Sequence, residues 1–198
     1  MTQEIPALTE RPEVLSFLET RRSRPAKTLV PPVPDREVVE RLLTIAARTP
    51  DHGKLEPWRF IVLDRAACVR LGALTAEIGA AKGMDPDKLE KARLQFANAH
   101  LCITVVASPK VSEKIPEIEQ TLSVGAVCQQ LLTAALAAGW GASWLTAWMA
   151  TDRAFLTKGL GLADHEWVAG YIYLGSEGVR PPERPRPDLA TITTWVTE

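Results

Sequence analysis

The first side chains that could do chemistry form the basic run Arg21-Arg22-Ser23-Arg24. Arginine presents a fixed fork of N–H donors that matches the oxygens of a phosphate, and serine adds a hydroxyl. The run therefore favours an anion site. The alternative is structural, because arginines in the last turn of a helix also interact favourably with the helix dipole.

Two further segments could surround a flat ligand. The loop TPDHGKLEPW, residues 49–58, places polar and charged groups between two structured elements, where binding residues are common. The segment GWGASW, residues 139–144, combines small residues, which let the backbone approach a ligand, with tryptophan, which can form a wall. Each segment also has a plain structural interpretation: a polar surface loop before a strand, and a helix end followed by a strand with aromatic packing.

Several common catalytic patterns do not occur in the sequence. His52, His100 and His165 are far apart and show no HExxH spacing, so no metal site is indicated. There is no Gx4GK[ST] phosphate loop and no GxSxG nucleophile elbow. Gly139 and Gly141 form a GxG, but a predicted helix precedes it, whereas a dinucleotide fingerprint requires a strand there.

The composition limits the class of protein. The chain has 198 residues, 23 Lys+Arg and 24 Asp+Glu, a formal net charge of -1, and 46% hydrophobic residues. These values are typical of one globular domain with a sizeable core. The balanced charge argues against a nucleic-acid partner, because general nucleic-acid binders usually have a basic excess.

The cysteines and the N-terminal residues indicate a reducing, cytoplasmic setting. Cys68, Cys102 and Cys128 are odd in number and form no CxxC pair, so neither a zinc site nor a redox pair is expected. Residues 1–10 lack the basic-then-apolar layout of a signal peptide. Residues 121–151 carry no charge and are long enough to span a membrane, but their glutamines favour a buried helix followed by a buried strand.

Hydrophobic periodicity and turn residues predict alternating helices and strands that position these groups. Helices are expected over residues 12–22, from 35 to before Pro50, over 64–79, 86–98 and 116–138, and from 152 to a glycine at 159 or 161. Strands are expected over residues 58–63, 101–107, 142–146, 167–174 and 191–196. Four prolines between residues 181 and 187 predict a stiff arm, and its apolar end needs cover from a partner subunit.

In this order and spacing, the three segments resemble the nitroreductase family of FMN-dependent oxidoreductases, in its short-chain branch. The resemblance covers about residues 12–198 and includes IEQ at 118–120 and YIYLG at 171–175. It implies an α+β fold with a central, mostly antiparallel sheet flanked by helices, in an intertwined homodimer with two FMN sites at the interface. It also implies an FMN-binding domain over residues 1–174 and an arm, residues 175–198, that reaches the partner subunit.

The resemblance further implies which residues contact the cofactors. For FMN, Arg21, Arg22 and Ser23 would hold the phosphate and ribityl groups, and Arg184 or Arg186 of the arm would also contact the phosphate. Arg48 and His52 would face the cofactor, and His52 would reach the FMN bound by the partner subunit. Trp144, Leu145 and Thr146 would lie along the flavin. For NAD(P), the contact residues would be Ala134, Ala135, Leu136, Ala137, Ala138 and Gly139. No metal is implied.

The chain departs from the family pattern at three positions. Many members have Asn where Lys54 stands, Gln where Glu56 stands, and a basic residue where Pro25 stands. Arg24 and Lys27 lie nearby in the sequence. The contact that stabilises reduced flavin, and with it the flavin potential and the substrate range, therefore stays open.

The resemblance implies an activity as well. NADH or NADPH would deliver hydride to FMN and leave, and an electron acceptor such as a nitroaromatic or a quinone would enter the same slot. Because FMN carries the chemistry, no catalytic side chain is assigned. Two alternatives remain: a flavin-dependent dehydrogenase or dehalogenase on the same scaffold, for whose lid residues 82–98 leave little room, and a flavin-binding dimer without turnover.

Overall fold

The computed structural model describes residue 5 and residues 7–197, which form a five-stranded sheet with helices on both faces. The helices are α1 (Pro12–Thr20), α2 (Arg36–Ala46), α3 (Arg65–Ala81), α4 (Pro86–Ala97), α5 (Glu117–Ala137), α6 (Arg153–Leu160) and α7 (Leu189–Ile192). The strands are β1 (Leu29–Val30), β2 (Trp58–Leu63), β3 (Leu101–Ala107), β4 (Gly141–Leu145) and β5 (Trp167–Glu177). The predicted α+β class with a helix-flanked antiparallel sheet is confirmed.

The sheet is built around β5. One edge of β5 pairs with β3, which pairs in turn with β2, and the other edge pairs with β4 and then with β1. Each of these pairings is antiparallel. The last residues of β5 hold the edge strands in place, since Gly175 is opposite Gly141 and Glu177 is opposite Leu29.

Alternate residues of β3 contribute to two apolar cores, because successive side chains of a strand point to opposite faces. Ile103 and Val105 belong to the core formed with α2 and α5. Cys102 and Val106 belong to the core formed with α3, α4 and α6. All seven residues of β3 are buried, as expected for a strand covered on both faces.

Aspartates mark the starts of four helices. The carboxylates of Asp35, Asp64, Asp85 and Asp152 each accept a hydrogen bond, at 2.8–3.0 Å, from the backbone N–H three residues later. Such caps satisfy N–H groups that the helix itself leaves free. The helix starts predicted at residues 35, 64 and 152 are confirmed, and Gly161 ends α6 in the left-handed conformation.

The uncharged residues 121–151 divide mainly into α5 and β4, as predicted. Among the described residues, no helix combines the length and the apolar character that crossing a bilayer requires. In place of a span, α5 buries one side against the sheet and α2, with Val127, Cys128 and Leu131 fully enclosed.

The C-terminal region corrects the prediction in two respects. The strand expected over residues 191–196 is wrong: α7 and irregular, exposed backbone occupy the region. A strand needs a neighbouring edge for its N–H and C=O groups, and none lies beside these residues in the described chain. Conversely, β5 continues past residue 174 to Glu177, because β1, which the sequence did not predict, pairs with its end.

Candidate functional site

The basic run begins where α1 ends. Arg21 leaves the helix with ψ of 143°, and its N–H donates to the carbonyl of Phe17 at 2.7 Å. The N–H of Arg24 donates to the carbonyl of Ala142 at 2.8 Å, which ties the run to β4. The last turn of α1 itself holds no basic residue, and Arg21 is the C-cap residue that follows it.

The run lines a cavity of about 330 Å³, which we call the basic cavity. Its lining consists of Phe17, Thr20, Arg21, Arg22, Arg24, Leu136, Gly139, Trp140, Gly141 and Glu177. The Nε–H groups of Arg21 and Arg22 are buried and have no hydrogen-bond partner among the described residues. A buried donor without a partner is unfavourable unless a ligand satisfies it, so these two groups indicate an anion site. Ser23 lies between Arg22 and Arg24 and is partly buried.

Arg24 differs from its two neighbours because it already has an acidic partner. Its Nε pairs with the carboxylate of Glu177, at the end of β5. The hydrogen bond from Arg24 holds the pKa of Glu177 below its usual range, so this carboxylate is ionised at neutral pH. The ion pair neutralises one of the three arginines, and the charge left for a ligand belongs to Arg21 and Arg22.

The arm lies beside the basic run of the same chain. Nη1 of Arg22 donates to the carbonyl of Pro182, and Nη2 of Arg186 lies 3.5 Å from the carbonyl oxygen of Arg21. The same Nη2 donates to the carboxylate of Glu183 at 2.8 Å. Of the two arm arginines that the sequence singled out, Arg186 is the one that contacts the basic run, although it does not line the basic cavity.

A second cavity, of about 500 Å³, lies further along β4, and we call it the apolar cavity. It is lined by Pro25, Ala26, Lys27, Lys91, Leu94, Gln95, Asn98, Ser143 and Leu145. The sequence did not indicate the three lining residues of α4, at positions 91, 94 and 95, or Asn98, which caps its end. No local pattern marks them, because α4 reaches the cavity only through its packing against α3 and the sheet.

The two cavities follow each other along the same stretch of chain. Gly141, at the start of β4, lines the basic cavity, and Leu145, at its end, lines the apolar cavity. At about 3.3 Å per residue, these positions are roughly 13 Å apart. Residues 20–24 and then 25–27 run past the cavities in the same order. The two cavities share no lining residue and lie in succession along β4, the first basic and the second apolar, and we call this pair of cavities the trough.

The alternation of β4 separates the side chains of Trp144 and Leu145, both of which are predicted to lie along the flavin. Leu145 faces the apolar cavity, whereas the indole of Trp144 packs in the opposite core and donates from Nε1 to the carbonyl of Ala169 at 3.0 Å. Consecutive residues of a strand point to opposite faces, so both side chains cannot line one cavity. Ser143 and Leu145 line the apolar cavity, and Thr146 is exposed just beyond the strand.

His52 and Arg48 line neither cavity of their own chain. The side chain of His52 is 61% exposed, and its Nδ1 lies 2.7 Å from Oε2 of Glu119, in the first turn of α5. Arg48 is exposed after α2. The structure therefore brings together the basic run, β4 and Arg186, but within one chain it keeps the 49–58 loop apart from them.

The 49–58 loop is held in a rare backbone conformation. Gly53, Lys54 and Glu56 have φ values of 70°, 55° and 48°, in the left-handed region that favours glycine. The carboxylate of Asp51 accepts from the N–H of Glu56 at 2.9 Å and closes the turn. Non-glycine residues persist in this region only where their surroundings impose it, which is common at binding sites.

The predicted NAD(P) segment, residues 134–139, is divided between different surroundings. Ala134 and Ala135 are buried against the core. Leu136 and Gly139 line the basic cavity, while Ala137 and Ala138 are exposed. A helix turns its residues to all sides, so this run cannot act as one continuous contact surface.

The cysteines contribute no reactive thiolate. All three are free and buried. Burial raises the pKa of Cys68 to about 11 and that of Cys128 to about 12, and it also raises the pKa of Cys102. The groups remain protonated at neutral pH, and the thiolate is the nucleophilic form.

Comparison with known proteins agrees with this geometry. The model of the nitroreductase family matches residues 18–176, most of the chain, including the basic run, the 49–58 loop and β4. The chain belongs to the nitroreductase family. The resemblance drawn from the three sequence segments is thereby confirmed.

The proteins similar to this nitroreductase match it over most of its length. "Putative NAD(P)H nitroreductase YdjA" of Escherichia coli strain K12 is 32% identical over 164 residues, which are 83% of this chain and 88% of that protein. The structure of a nitroreductase-like family protein from Bacillus cereus has a TM-score of 0.75 at 20% identity, covering 96% of this chain and 99% of that one. A structure from Desulfovibrio desulfuricans, described as a complex with FMN, has a TM-score of 0.71 at 23% identity, with the same coverage. These structural matches support the fold.

Proposed function

We propose that this chain binds FMN in the trough along β4, with the phosphate in the basic cavity and the ring in the apolar cavity. The observation that carries the proposal is the pair of buried, unpartnered Nε–H groups of Arg21 and Arg22 at one end of a trough that is apolar at the other. FMN has a phosphate at one end and a flat ring at the other. The FMN complex of the similar Desulfovibrio protein supports this assignment.

The residues of the trough would divide the work of binding. Arg21 and Arg22 hold the phosphate by charge-assisted hydrogen bonds, which are stronger than neutral ones, and Arg186 approaches from the arm. Ser23 offers its hydroxyl to the sugar-like chain. Pro25 and Leu145 exclude water from the ring and orient it. When bound, FMN would supply the redox chemistry, taking hydride from NADH or NADPH and passing electrons to an acceptor such as a nitroaromatic or a quinone.

We propose an obligate homodimer as the functional unit. No residue of α1 is buried, and Val14, Leu15 and Leu18 are 46–52% exposed. Clefts of about 480 and 450 Å³ lie between the helices α1, α2 and α5. The arm ends in Ile192, Trp195 and Val196, which are 64–89% exposed. Exposed apolar surface of this extent is typical of an interface between subunits.

The dimer would also complete the cofactor site. Arg48 and His52 are exposed and line neither cavity of their own chain, so a second subunit is the means by which they would face FMN. The arm, predicted over residues 175–198, leaves the sheet after Glu177 and passes the basic run of its own chain, and its exposed end beyond Arg186 would extend to the partner. In such a dimer, residues of one chain would therefore form part of the FMN site of the other chain.

The surroundings of the apolar cavity favour NAD(P)H-dependent reduction over a flavin-dependent dehydrogenase or dehalogenase and over a non-catalytic flavin binder. Only residues 82–85 separate α3 from α4, so this region contains no long lid of the kind that flavin-dependent dehydrogenases or dehalogenases often carry. The apolar cavity is open at its rim, where Lys27, Lys91 and Asn98 are exposed. An open ring site would let a hydride donor and an acceptor enter in turn, whereas a non-catalytic binder needs no such opening.

Purified protein tests the proposal directly. It should be yellow, with a flavin spectrum close to one FMN per chain, and NADH or NADPH should bleach that colour without oxygen. Addition of a nitroaromatic or a quinone should then restore it. A colourless protein that takes up no added FMN would refute the assignment of the trough. A yellow protein that neither nucleotide bleaches would leave the non-catalytic binder as the correct function.

A further inference from the structure

The rim of the apolar cavity carries two lysines without partners. Lys27 and Lys91 line the cavity and are exposed, and neither ammonium group makes a hydrogen bond or an ion pair with any described residue. Three other lysines have a partner for the ammonium group: Lys82 pairs with Asp152, Lys158 lies 2.6 Å from Glu77, and Lys110 donates to Ser108. Lys54, Lys88 and Lys114 resemble the rim lysines in having none among the described residues, but they do not line the cavity. The rim lysines come from two separate elements, so the fold rather than a local sequence run brings them together.

The charged side chains of the cavity lie at its rim, and its deeper walls are mainly apolar. These partly buried walls are formed by Pro25, Ala26, Leu94 and Leu145. Two polar residues lie among them: Ser143, which is buried, and Gln95, whose Oε1 is buried and has no hydrogen-bond partner among the described residues. No carboxylate is among the lining residues. With a flat ring held inside, an aromatic acceptor stacked on that ring would lie nearer the opening, and a negative substituent on it would face the rim that carries the two ammonium groups.

We propose that Lys27 and Lys91 select electron acceptors whose aromatic ring carries an anionic substituent, a carboxylate or a sulfonate. The proposal rests on the proposed function, because it assumes that the acceptor stacks on a ring held in this cavity. A carboxylate gains a charge-assisted hydrogen bond from an ammonium, and a neutral amide of the same shape gains a weaker one. Complementary charge would also speed the encounter with anionic acceptors.

The reaction with such an acceptor balances without a further reagent. A nitrobenzoate and NAD(P)H with one proton give the nitrosobenzoate, NAD(P)+ and water. The nitro group receives two electrons and loses one oxygen as water, and the nicotinamide loses hydride. The carboxylate at the rim is unchanged, so it affects only binding and orientation.

The test compares two acceptors that differ in charge and little in shape, 4-nitrobenzoate and 4-nitrobenzamide. The measured quantity is the ratio of their kcat/KM values in the FMN-loaded protein. We expect the ratio to favour the benzoate about 10-fold, the size of one charge-assisted contact, and to fall with added salt. Lys27→Met and Lys91→Met should each lower the ratio about 3-fold or more, and the double variant should bring it to about 1.

Lys88→Met is the matched control, since Lys88 is exposed on α4 but does not line the cavity. It should leave the ratio unchanged. A second readout needs no turnover: the Kd of benzoate, compared with that of benzamide, follows from the change each causes in the absorption of the oxidised flavin. The same lysine variants should weaken benzoate selectively.

Two results would overturn the proposal while leaving the proposed function intact. One is a ratio near 1 in the unmodified protein. The other is an equal loss for both acceptors in the lysine variants, which would mean that the lysines act on the flavin itself. A protein that binds no FMN, or that reduces neither acceptor, overturns this proposal together with the proposed function.

Discussion

The apolar side chains at the centre of the sheet are buried, whereas many of those at the edge of the molecule are exposed. In β3 all seven residues are buried, and Ile172 and Leu174 of β5 are at most 1% exposed. In α1 no residue is buried, Leu18 is 50% exposed, and Trp195 in the arm is 87% exposed. Similar residue types are thus covered in one region and uncovered in the other.

This difference indicates that folding and cofactor binding depend on different regions. One chain covers both faces of its own sheet, so the core does not require a second subunit. The trough lies between the two regions, because β4 forms one wall while the basic run and the arm form its outer border. Changes at the edge should therefore affect assembly and FMN, and changes at the centre should affect the free energy of unfolding.

The largest effect is expected from removing the arm. Deletion of residues 186–198 takes away Arg186 beside the basic run and the exposed apolar end around Trp195. We expect the dimer to dissociate and FMN to be released together, while the far-ultraviolet circular dichroism stays close to that of the full chain. Light scattering and flavin absorbance measure both properties. A truncated protein that remains dimeric and yellow would show that the arm contributes neither to assembly nor to the site.

The next effect concerns a matched pair of leucines, Leu131 in the core and Leu18 at the edge. Leu131 is fully buried, and Leu131→Ala should lower the free energy of unfolding by about 2–5 kcal/mol in urea titrations. Leu18→Ala should change the unfolding of the isolated subunit by less than about 0.5 kcal/mol but raise the dimer dissociation constant. Similar unfolding losses in both variants would contradict the division between the two regions.

A smaller effect is expected for Arg21→Ala, which acts on the trough without touching the core. Loss of one charge-assisted partner of a phosphate costs about 1.5–3 kcal/mol. The Kd for FMN should therefore rise by roughly 10- to 150-fold, measured by fluorescence titration, with unchanged thermal unfolding of the FMN-free protein. Arg36→Ala, which removes an exposed arginine paired with Glu40, is the control and should leave the affinity unchanged. Equal affinities for FMN in both variants would assign Arg21 a purely structural role.

The smallest expected effect is a pH dependence of the free energy of unfolding. Glu166 accepts from Nε of Arg59 at 2.7 Å and from Nη2 at 2.8 Å, and these hydrogen bonds lower the pKa of the carboxyl to about 2. Because the folded pKa lies below the unfolded one, near 4.3, the contact stabilises the protein above pH 4.3, and this stabilisation is lost as the pH falls towards 2.

Arg59 is 41% exposed, so solvent screening limits the effect to about 1–2 kcal/mol. Unfolding of the wild type and of Glu166→Gln should differ at pH 6 and converge at pH 2. A difference that does not change with pH would show that the ion pair is not its source.

Local patterns sufficed for the elements whose signal lies within a few residues. The bounds of β2 and β3 agree with the prediction, because β2 lies between Pro57 and the helix-capping Asp64 and β3 is a largely apolar run. The capping aspartates at 35 and 64 are equally local, since a carboxylate three residues before a free N–H is a property of the sequence itself. The basic run was recognised as an anion site for the same reason: its residue types suit a phosphate wherever they are placed.

The sequence by itself determined the family, the α+β class and the chemistry of the basic run, because each depends on residue type and spacing along the chain. The tertiary structure alone decided that Trp144 faces the core and Leu145 the cavity, that α4 provides a cavity wall, and that residues 191–196 form no strand. It also decided that Arg24 pairs with Glu177, whereas the buried Nε–H groups of Arg21 and Arg22 have no partner among the described residues. These features depend on contacts between residues far apart in the chain, and such contacts follow from packing that no local pattern records.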